Sequence, residues 1–204
     1  MIKTPSNAYR LPFFDALLPG FRVIHLVRNP AAAVNGLVDG WLHPGFHAHP
    51  AADANGTGRL RVGGYSDRVP GGDRWWKFDM PPGWEALVER PLEEVAAWQW
   101  ASAHRTVLEW QAAHPGRDVL RVRFEDFLRE PVATMGRVLS WMGVDMHPAL
   151  EAALLDGPAP RMATARPRPR RWLGRREALA PVLALPHVRE VADALGYTDE
   201  EAWI

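Results

Sequence analysis

The chain contains no cysteine and only two lysines, Lys3 and Lys77, among its 204 residues. The absence of cysteine excludes disulfides, thiolate nucleophiles and cysteine-ligated metals. No apolar run approaches the roughly 20 residues that a membrane helix needs. No apolar segment of the signal-peptide type follows the first charged residue, Lys3. We therefore expect a cytoplasmic protein without a membrane partner.

Neither sign of charge is in excess, since 24 basic residues face 24 acidic ones. This balance gives no indication of nucleic acid as a partner. Hydrophobic residues make up 47% of the chain and charged residues 24%, which is typical of a globular protein. The length suits one domain better than two, so we predict a single domain over residues 1–204.

One segment combines a short apolar strand, a tight turn and a helix. The residues from Val23 to Val27 predict a buried strand, Asn29-Pro30 predicts a turn, and an alanine-rich helix follows. The strand ends at Arg28, whose planar guanidinium suits phosphate or sulfate. A helix that begins just after such a strand presents its N-terminus to anions. We predict that Arg28 binds an anion; the alternative is an ordinary turn with a surface arginine.

The remaining pattern is mostly helical, with a second strand over Val119–Phe124. Two apolar strands separated by helices predict an α/β fold, rich in helix, with a small parallel sheet. Residues 43–90 form a predicted excursion, of which 43–72 have almost no periodic apolar pattern and predict a long loop. Residues 161–176 predict a basic, proline-broken tail loop. Further helices are predicted at 11–18, 31–41, from Pro91 to about His114, 131–142 and 186–195.

Three histidines, His43, His47 and His49, lie close together in the predicted loop. Their spacing could hold a metal, but a loop rich in glycine and proline holds ligands poorly. We therefore predict no metal site. The histidines have either no chemical role or a contact with a substrate.

Four motifs occur in an order that resembles the sulfotransferase family, P-loop-related enzymes that transfer a sulfuryl group from PAPS. They are KTP at Lys3–Pro5, HLVRNP at His25–Pro30, RFEDFLREP at Arg123–Pro131, and a tail with paired arginines before Leu195–Tyr197. The resemblance covers most of the chain. It implies a P-loop NTPase-like fold and PAPS as co-substrate.

The resemblance also implies roles for individual residues. Arg28 would bind the 3′-phosphate of PAPS, with Arg170 and Arg171 closing over the nucleotide; the alternative for the last two is a solvated basic segment. Phe124 occupies the aromatic position near adenine, or is simply the last inward residue of its strand. Lys3 would stabilise charge on the leaving phosphate, or is a frayed terminal lysine.

Three departures from the family pattern affect these expectations. Gly36 stands where relatives place a serine on the 3′-phosphate, and one such hydrogen bond contributes about 1.5–3 kcal/mol. Nothing before Lys3 corresponds to the Gly/Ser/Thr-rich loop that holds the 5′-phosphosulfate, so we expect an N-terminally incomplete fold. Pro5 replaces the histidine that serves some relatives as general base. An open sheet edge would then favour a homodimer, or completion by another segment.

The sequence leaves two alternative functions. The first is a sulfotransferase that moves a sulfuryl group from PAPS to a hydroxyl or amine of an unidentified small-molecule or glycan acceptor. The second is a truncated, inactive remnant that binds a nucleotide or acts as an interaction module. A P-loop kinase-like phosphotransferase is disfavoured because the chain has no Walker loop.

Overall fold

The computed structural model describes residues 2–46, 48–50, 59–157 and 168–198. The described helices and strands follow in chain order: α1 Leu11–Leu17, β1 Val23–Val27, α2 Pro30–Leu42, β2 Ala48–Pro50, β3 Trp75–Lys77, α3 Leu92–Ala113, β4 Val119–Arg123, α4 Phe124–Arg129, α5 Pro131–Met142, α6 Pro148–Leu155, α7 Arg176–Leu183 and α8 Pro186–Ala194. Short 3₁₀ helices lie at Pro5–Arg10, Gly72–Arg74, Trp84–Leu87 and Arg171–Arg175. No helix among these residues is long and apolar enough to span a membrane.

The two predicted strands form a parallel pair. β1 and β4 are in register from Val23 opposite Val119 to Val27 opposite Arg123. This confirms an α/β fold that is rich in helix and has a small parallel sheet. Within the described residues neither strand has a second partner. The homodimer through an open sheet edge stays a prediction.

Helix α3 is the centre of the core. It follows Pro91, carries Glu93 and Glu94 in its first turn and ends before His114. Acidic residues at the first turn stabilise a helix through its dipole. The helix contacts α2, α7 and α8, and its Val95 is fully buried. α3 therefore joins α2 to the C-terminal helices α7 and α8.

The described part of the predicted excursion contributes to this core. β2 and β3 form an antiparallel pair, with Ala48 opposite Lys77. Tyr65 is 1% exposed and packs edge-on against Trp41 of α2, with ring centroids 4.8 Å apart. Apolar residues in a glycine-rich segment without a regular period are thus buried among aromatic rings.

The predicted basic tail is a loop only in part. Residues 161–167 lie outside the described residues. From Arg171 to Arg175 the chain forms a 3₁₀ helix, and Trp172 within it is buried. This helix packs against α2, which brings its arginines near the turn that follows β1.

Candidate functional site

The candidate site lies where the carboxyl ends of β1 and β4 meet. Because Val27 is paired with Arg123, the turn after β1 lies beside the first turn of α4. Asn29 begins α2: its Oδ1 accepts a hydrogen bond from the backbone N–H of Ala32 at 2.7 Å, and Pro30 follows at the first helical position. An asparagine cap followed by proline is a strong signal for a helix start. The start of α2 is therefore fixed locally.

Glu125 connects this turn to two other parts of the chain. Its Oε1 accepts hydrogen bonds from the backbone N–H of Asn29 at 2.9 Å and from Asn29 Nδ2 at 2.8 Å. Its Oε2 accepts a hydrogen bond from the Tyr197 hydroxyl at 2.9 Å. Burial, followed by the charge of Glu125, raises the pKa of Tyr197, so the hydroxyl stays protonated and donates. The carboxylate thus joins the β1–α2 turn, α4 and the segment after α8.

Arg123 holds the segment that presents Tyr197. Its Nη2 donates to the carbonyl oxygens of Leu195 and Gly196, at 3.1 and 3.0 Å, and its guanidinium lies 4.8 Å from the centre of the Tyr197 ring. Gly196 has a φ of +82°, and a Cβ there would lie 2.5 Å from Arg123 Nη2. The positive φ favours glycine at this position, and a side chain there would also displace the Arg123 guanidinium.

Arg28 is a cation at this site that no described residue neutralises by a hydrogen bond or ion pair. It is half-buried, with its guanidinium 4.8 Å from the centre of the Phe124 ring. Its side chain makes no hydrogen bond or ion pair with any residue that the structure describes. Burial lowers the pKa of Arg28; the charge of Glu125 opposes this effect and that of Arg171 adds to it. An arginine keeps its proton under these conditions, so a partly desolvated positive charge is available to an anion.

Gly36 lies directly beside Arg28. A Cβ built at Gly36 would lie 3.8 Å from Arg28 Nη1, at ordinary van der Waals distance. The structure therefore brings together Arg28, Gly36 and Phe124, three of the residues predicted to bind the nucleotide.

A second group of basic side chains, from the 3₁₀ helix Arg171–Arg175, contacts α2 further along that helix. Arg175 Nη2 is 3.0 Å from Asp39 Oδ1, and Arg171 forms an ion pair with the other oxygen of Asp39. Arg175 also donates to the side chain of Asn35. These residues and Gly174 line a cavity of about 200 Å³. Arg171 thus lies near Arg28 but is held by a carboxylate, which motif comparison did not predict.

The other two predicted site residues are exposed. Arg170 has a φ of +52° at the start of the 3₁₀ helix. Lys3 lies in a segment without regular secondary structure before Pro5. Neither side chain makes a hydrogen bond or ion pair to the rest of the described chain. Their roles remain predictions.

The histidine cluster is only partly described, because His47 lies outside the described residues. His43 Nδ1 accepts a hydrogen bond from the backbone N–H of Gly45 at 3.0 Å, and His49 lies in β2. Within the described ranges no group of three or more His, Asp or Glu side chains could hold a metal ion.

Comparison with known proteins gives one family and one fold. A family model described as "Sulfotransferase family" matches residues 74–148. The fold is similar to a solved structure titled "Sulfotransferase Domain from the Curacin Biosynthetic Pathway", with a TM-score of 0.50 and 18% sequence identity. The match covers 95% of this chain and 58% of that chain, so the chain spans little more than half of that protein's length. No curated protein matches the sequence.

Proposed function

We propose that this chain is a member of the sulfotransferase family that binds PAPS at the Arg28 turn and transfers its sulfuryl group to an acceptor hydroxyl or amine. The observation that carries the proposal is the half-buried guanidinium of Arg28 at the start of α2, which has no hydrogen-bond or ion-pair partner among the described residues. Two features favour a phosphate there: the guanidinium offers a planar pair of donors, and the helix N-terminus carries a partial positive charge. Glu125 holds the turn in place through Asn29.

The surrounding residues support a nucleotide rather than a free phosphate. Phe124 lies beside Arg28 and offers an aromatic face on which an adenine ring can stack. Arg171 lies close enough to lower the pKa of Arg28. We propose that Arg171, with Arg170, moves toward the nucleotide when phosphate charge is present. Asp39 holds Arg171 in the free protein.

Sulfuryl transfer additionally requires stabilisation of the leaving phosphate. We assign this role to Lys3, whose exposed ammonium is free of other described contacts. Its charge would offset the negative charge that develops on the phosphate oxygen as the bond to sulfur breaks. The acceptor is a small molecule or a glycan.

A second candidate function is nucleotide binding without transfer. It requires only the phosphate contacts at the Arg28 turn, and Gly36 beside Arg28 would weaken these contacts because it supplies no hydroxyl to a bound phosphate. A chain of this kind would bind the desulfated product PAP and PAPS alike, and would release no sulfated acceptor.

Calorimetric titration of the purified chain with PAP tests the site. We expect Arg28→Ala to weaken PAP binding about 100-fold, since a charge-assisted pair of hydrogen bonds contributes about 3 kcal/mol. Arg68→Ala, at an exposed arginine in another part of the fold, is the matched control and should bind PAP as the unchanged chain does. Equal affinities for Arg28→Ala and Arg68→Ala would refute the site. Mass spectrometry of a phenol panel incubated with PAPS then separates transfer from binding alone.

A further inference from the structure

Asp79 is a carboxylate whose backbone is held firmly by the core. Its carbonyl oxygen accepts one hydrogen bond from Trp76 Nε1 at 2.9 Å and another from Gln99 Nε2 at 2.8 Å. Gln99 is 3% exposed and belongs to α3. The position of Asp79 is thus set by two buried side chains, although Asp79 itself is only half-buried.

The side chain of Asp79 points to the segment that carries Lys3. Asp79 Oδ1 accepts a hydrogen bond from Ser6 Oγ at 2.5 Å, and Ser6 lies next to Pro5. Oδ2 accepts no hydrogen bond from a described residue. By contrast, Glu125 has three donors on its two oxygens and Asp39 has two arginines. The position of the Asp79 carboxylate is therefore fixed, and its Oδ2 is available to accept a proton or hydrogen bond from a substrate.

The groups that face Asp79 come from two elements. Ser6, Tyr9 and Arg10 belong to the 3₁₀ helix Pro5–Arg10, and His49 belongs to β2. Burial raises the pKa of Asp79, while the Ser6 hydrogen bond and the charges of Arg10 and His49 lower it. The net direction is upward, which moves a carboxylate toward the range in which it exchanges protons near neutral pH.

Phe78, the residue before Asp79, packs against α2, the helix that begins just after Arg28. The neighbouring Phe78 packs so closely on α2 that a Cβ at Gly40 would lie 2.5 Å from its ring. Gly36, which faces Arg28, is four residues earlier on α2, a distance of about 6 Å along the helix axis. Arg28 and Phe78, the neighbour of Asp79, therefore contact the same side of α2 about one helical turn apart.

We propose that Asp79 is the general base that accepts the proton of the acceptor hydroxyl or amine. This inference rests on the proposed function. The acceptor oxygen forms a bond to the sulfur of PAPS as the bond from sulfur to the 5′-phosphate oxygen breaks. The electron pair of that bond leaves with the phosphate, giving PAP, and the acceptor's proton passes to Asp79 Oδ2. The products are a sulfate ester or sulfamate, PAP and one proton.

The test compares two acceptors in Asp79→Asn, with transfer from PAPS followed by mass spectrometry. Benzyl alcohol keeps its proton until the transition state, whereas para-nitrophenol is largely ionised at mildly alkaline pH and needs no base. We expect kcat for benzyl alcohol to fall at least ~100-fold, the typical contribution of general-base catalysis. The rate with para-nitrophenol should change by less than about threefold. Asp73→Asn, the same change at Gly72–Arg74, should leave both rates unchanged.

Each outcome separates this assignment from the proposed function. Equal losses on both acceptors, or no loss, would overturn the role of Asp79. A chain that binds PAP but sulfates neither acceptor overturns it too, and leaves nucleotide binding standing. If the chain does not bind PAP, the proposed function itself fails first.

Ser6→Ala gives a second measurement that keeps the carboxylate. Thermal melting of both variants verifies that they fold. Because the Ser6 hydrogen bond lowers the pKa of Asp79, its loss should move the acid limb of the rate–pH profile for benzyl alcohol to higher pH. An unmoved acid limb would contradict the assignment.

Discussion

Replacing Tyr197 by phenylalanine should weaken the fold and PAP binding together. The change removes the hydroxyl that donates to Glu125 Oε2 at 2.9 Å and leaves the rest of a side chain that is 1% exposed. Glu125 keeps its two hydrogen bonds to Asn29 through Oε1. The turn that carries Arg28 therefore loses one of its supports but not the other.

The magnitude follows from the type of bond. A hydrogen bond to a charged carboxylate contributes about 1.5–3 kcal/mol, so we expect the free energy of unfolding to fall by about 2 kcal/mol. For a domain of this size that change lowers the melting temperature by ~4–8 °C. PAP affinity should fall ~3- to 10-fold, less than for Arg28→Ala, because Asn29 is still held and the guanidinium is untouched.

Urea denaturation gives the free energy of unfolding, and calorimetry with PAP gives the affinity. Tyr65→Phe is the matched control: Tyr65 is as buried as Tyr197, but its hydroxyl makes no hydrogen bond to a described residue. The reasoning is refuted if Tyr197→Phe is no less stable than Tyr65→Phe. It is also refuted if stability falls while PAP affinity stays the same, since Glu125 would then have no effect on the turn.

Two further predictions concern the helix beside Arg28 and a buried histidine pair. There is room for a serine at position 36, because a Cβ there would lie 3.8 Å from Arg28 Nη1. Gly36→Ser should therefore tighten PAP binding at least about tenfold, by adding a hydrogen bond to the phosphate. An unchanged affinity, measured by calorimetry, would show that the phosphate binds elsewhere. His25 Nε2 lies 2.8 Å from His104 Nδ1, and burial lowers the pKa of His25 from 6.5 to about 4 and also lowers that of His104. The folded state thus favours the neutral form of both rings. Their full contribution to the free energy of unfolding is present above pH 6.5 and is lost as the pH falls toward 4. His25 alone accounts for a loss of about 3 kcal/mol over this range. The urea concentration at the unfolding midpoint should fall as the pH is lowered through this range, and a constant midpoint would contradict the prediction. In His25→Phe the midpoint should depend less on pH.

Local signals predicted the parts of the site that are local in the chain. The apolar run up to Val27, the Asn29-Pro30 start of α2 and the span of α3 from Pro91 were evident from residue type and spacing. The second strand was predicted to include Phe124, which instead begins α4. Its acidic neighbour Glu125 favours a helical first turn, and this preference outweighs the strand propensity of the ring.

The contacts that complete the site join residues far apart in sequence. Glu125 accepts hydrogen bonds from Asn29 and Tyr197, which lie 96 and 72 positions away in the sequence. The hydrogen bond from Ser6 to Asp79 spans 73 positions. Such pairs depend on how helices pack around the sheet, and neither periodicity nor a short motif encodes that packing.

The hydrogen bond from Tyr197 to Glu125 sets an order of events during synthesis. Residues 23–42 and 119–129 leave the ribosome first and can pair as β1 and β4 with their helices. The turn at Asn29 acquires its full set of supports only after position 197 has been translated. A nascent chain stalled before that position would present Arg28 on a turn that lacks one support. The proposed nucleotide site would therefore be completed last, after the core around α3 has assembled.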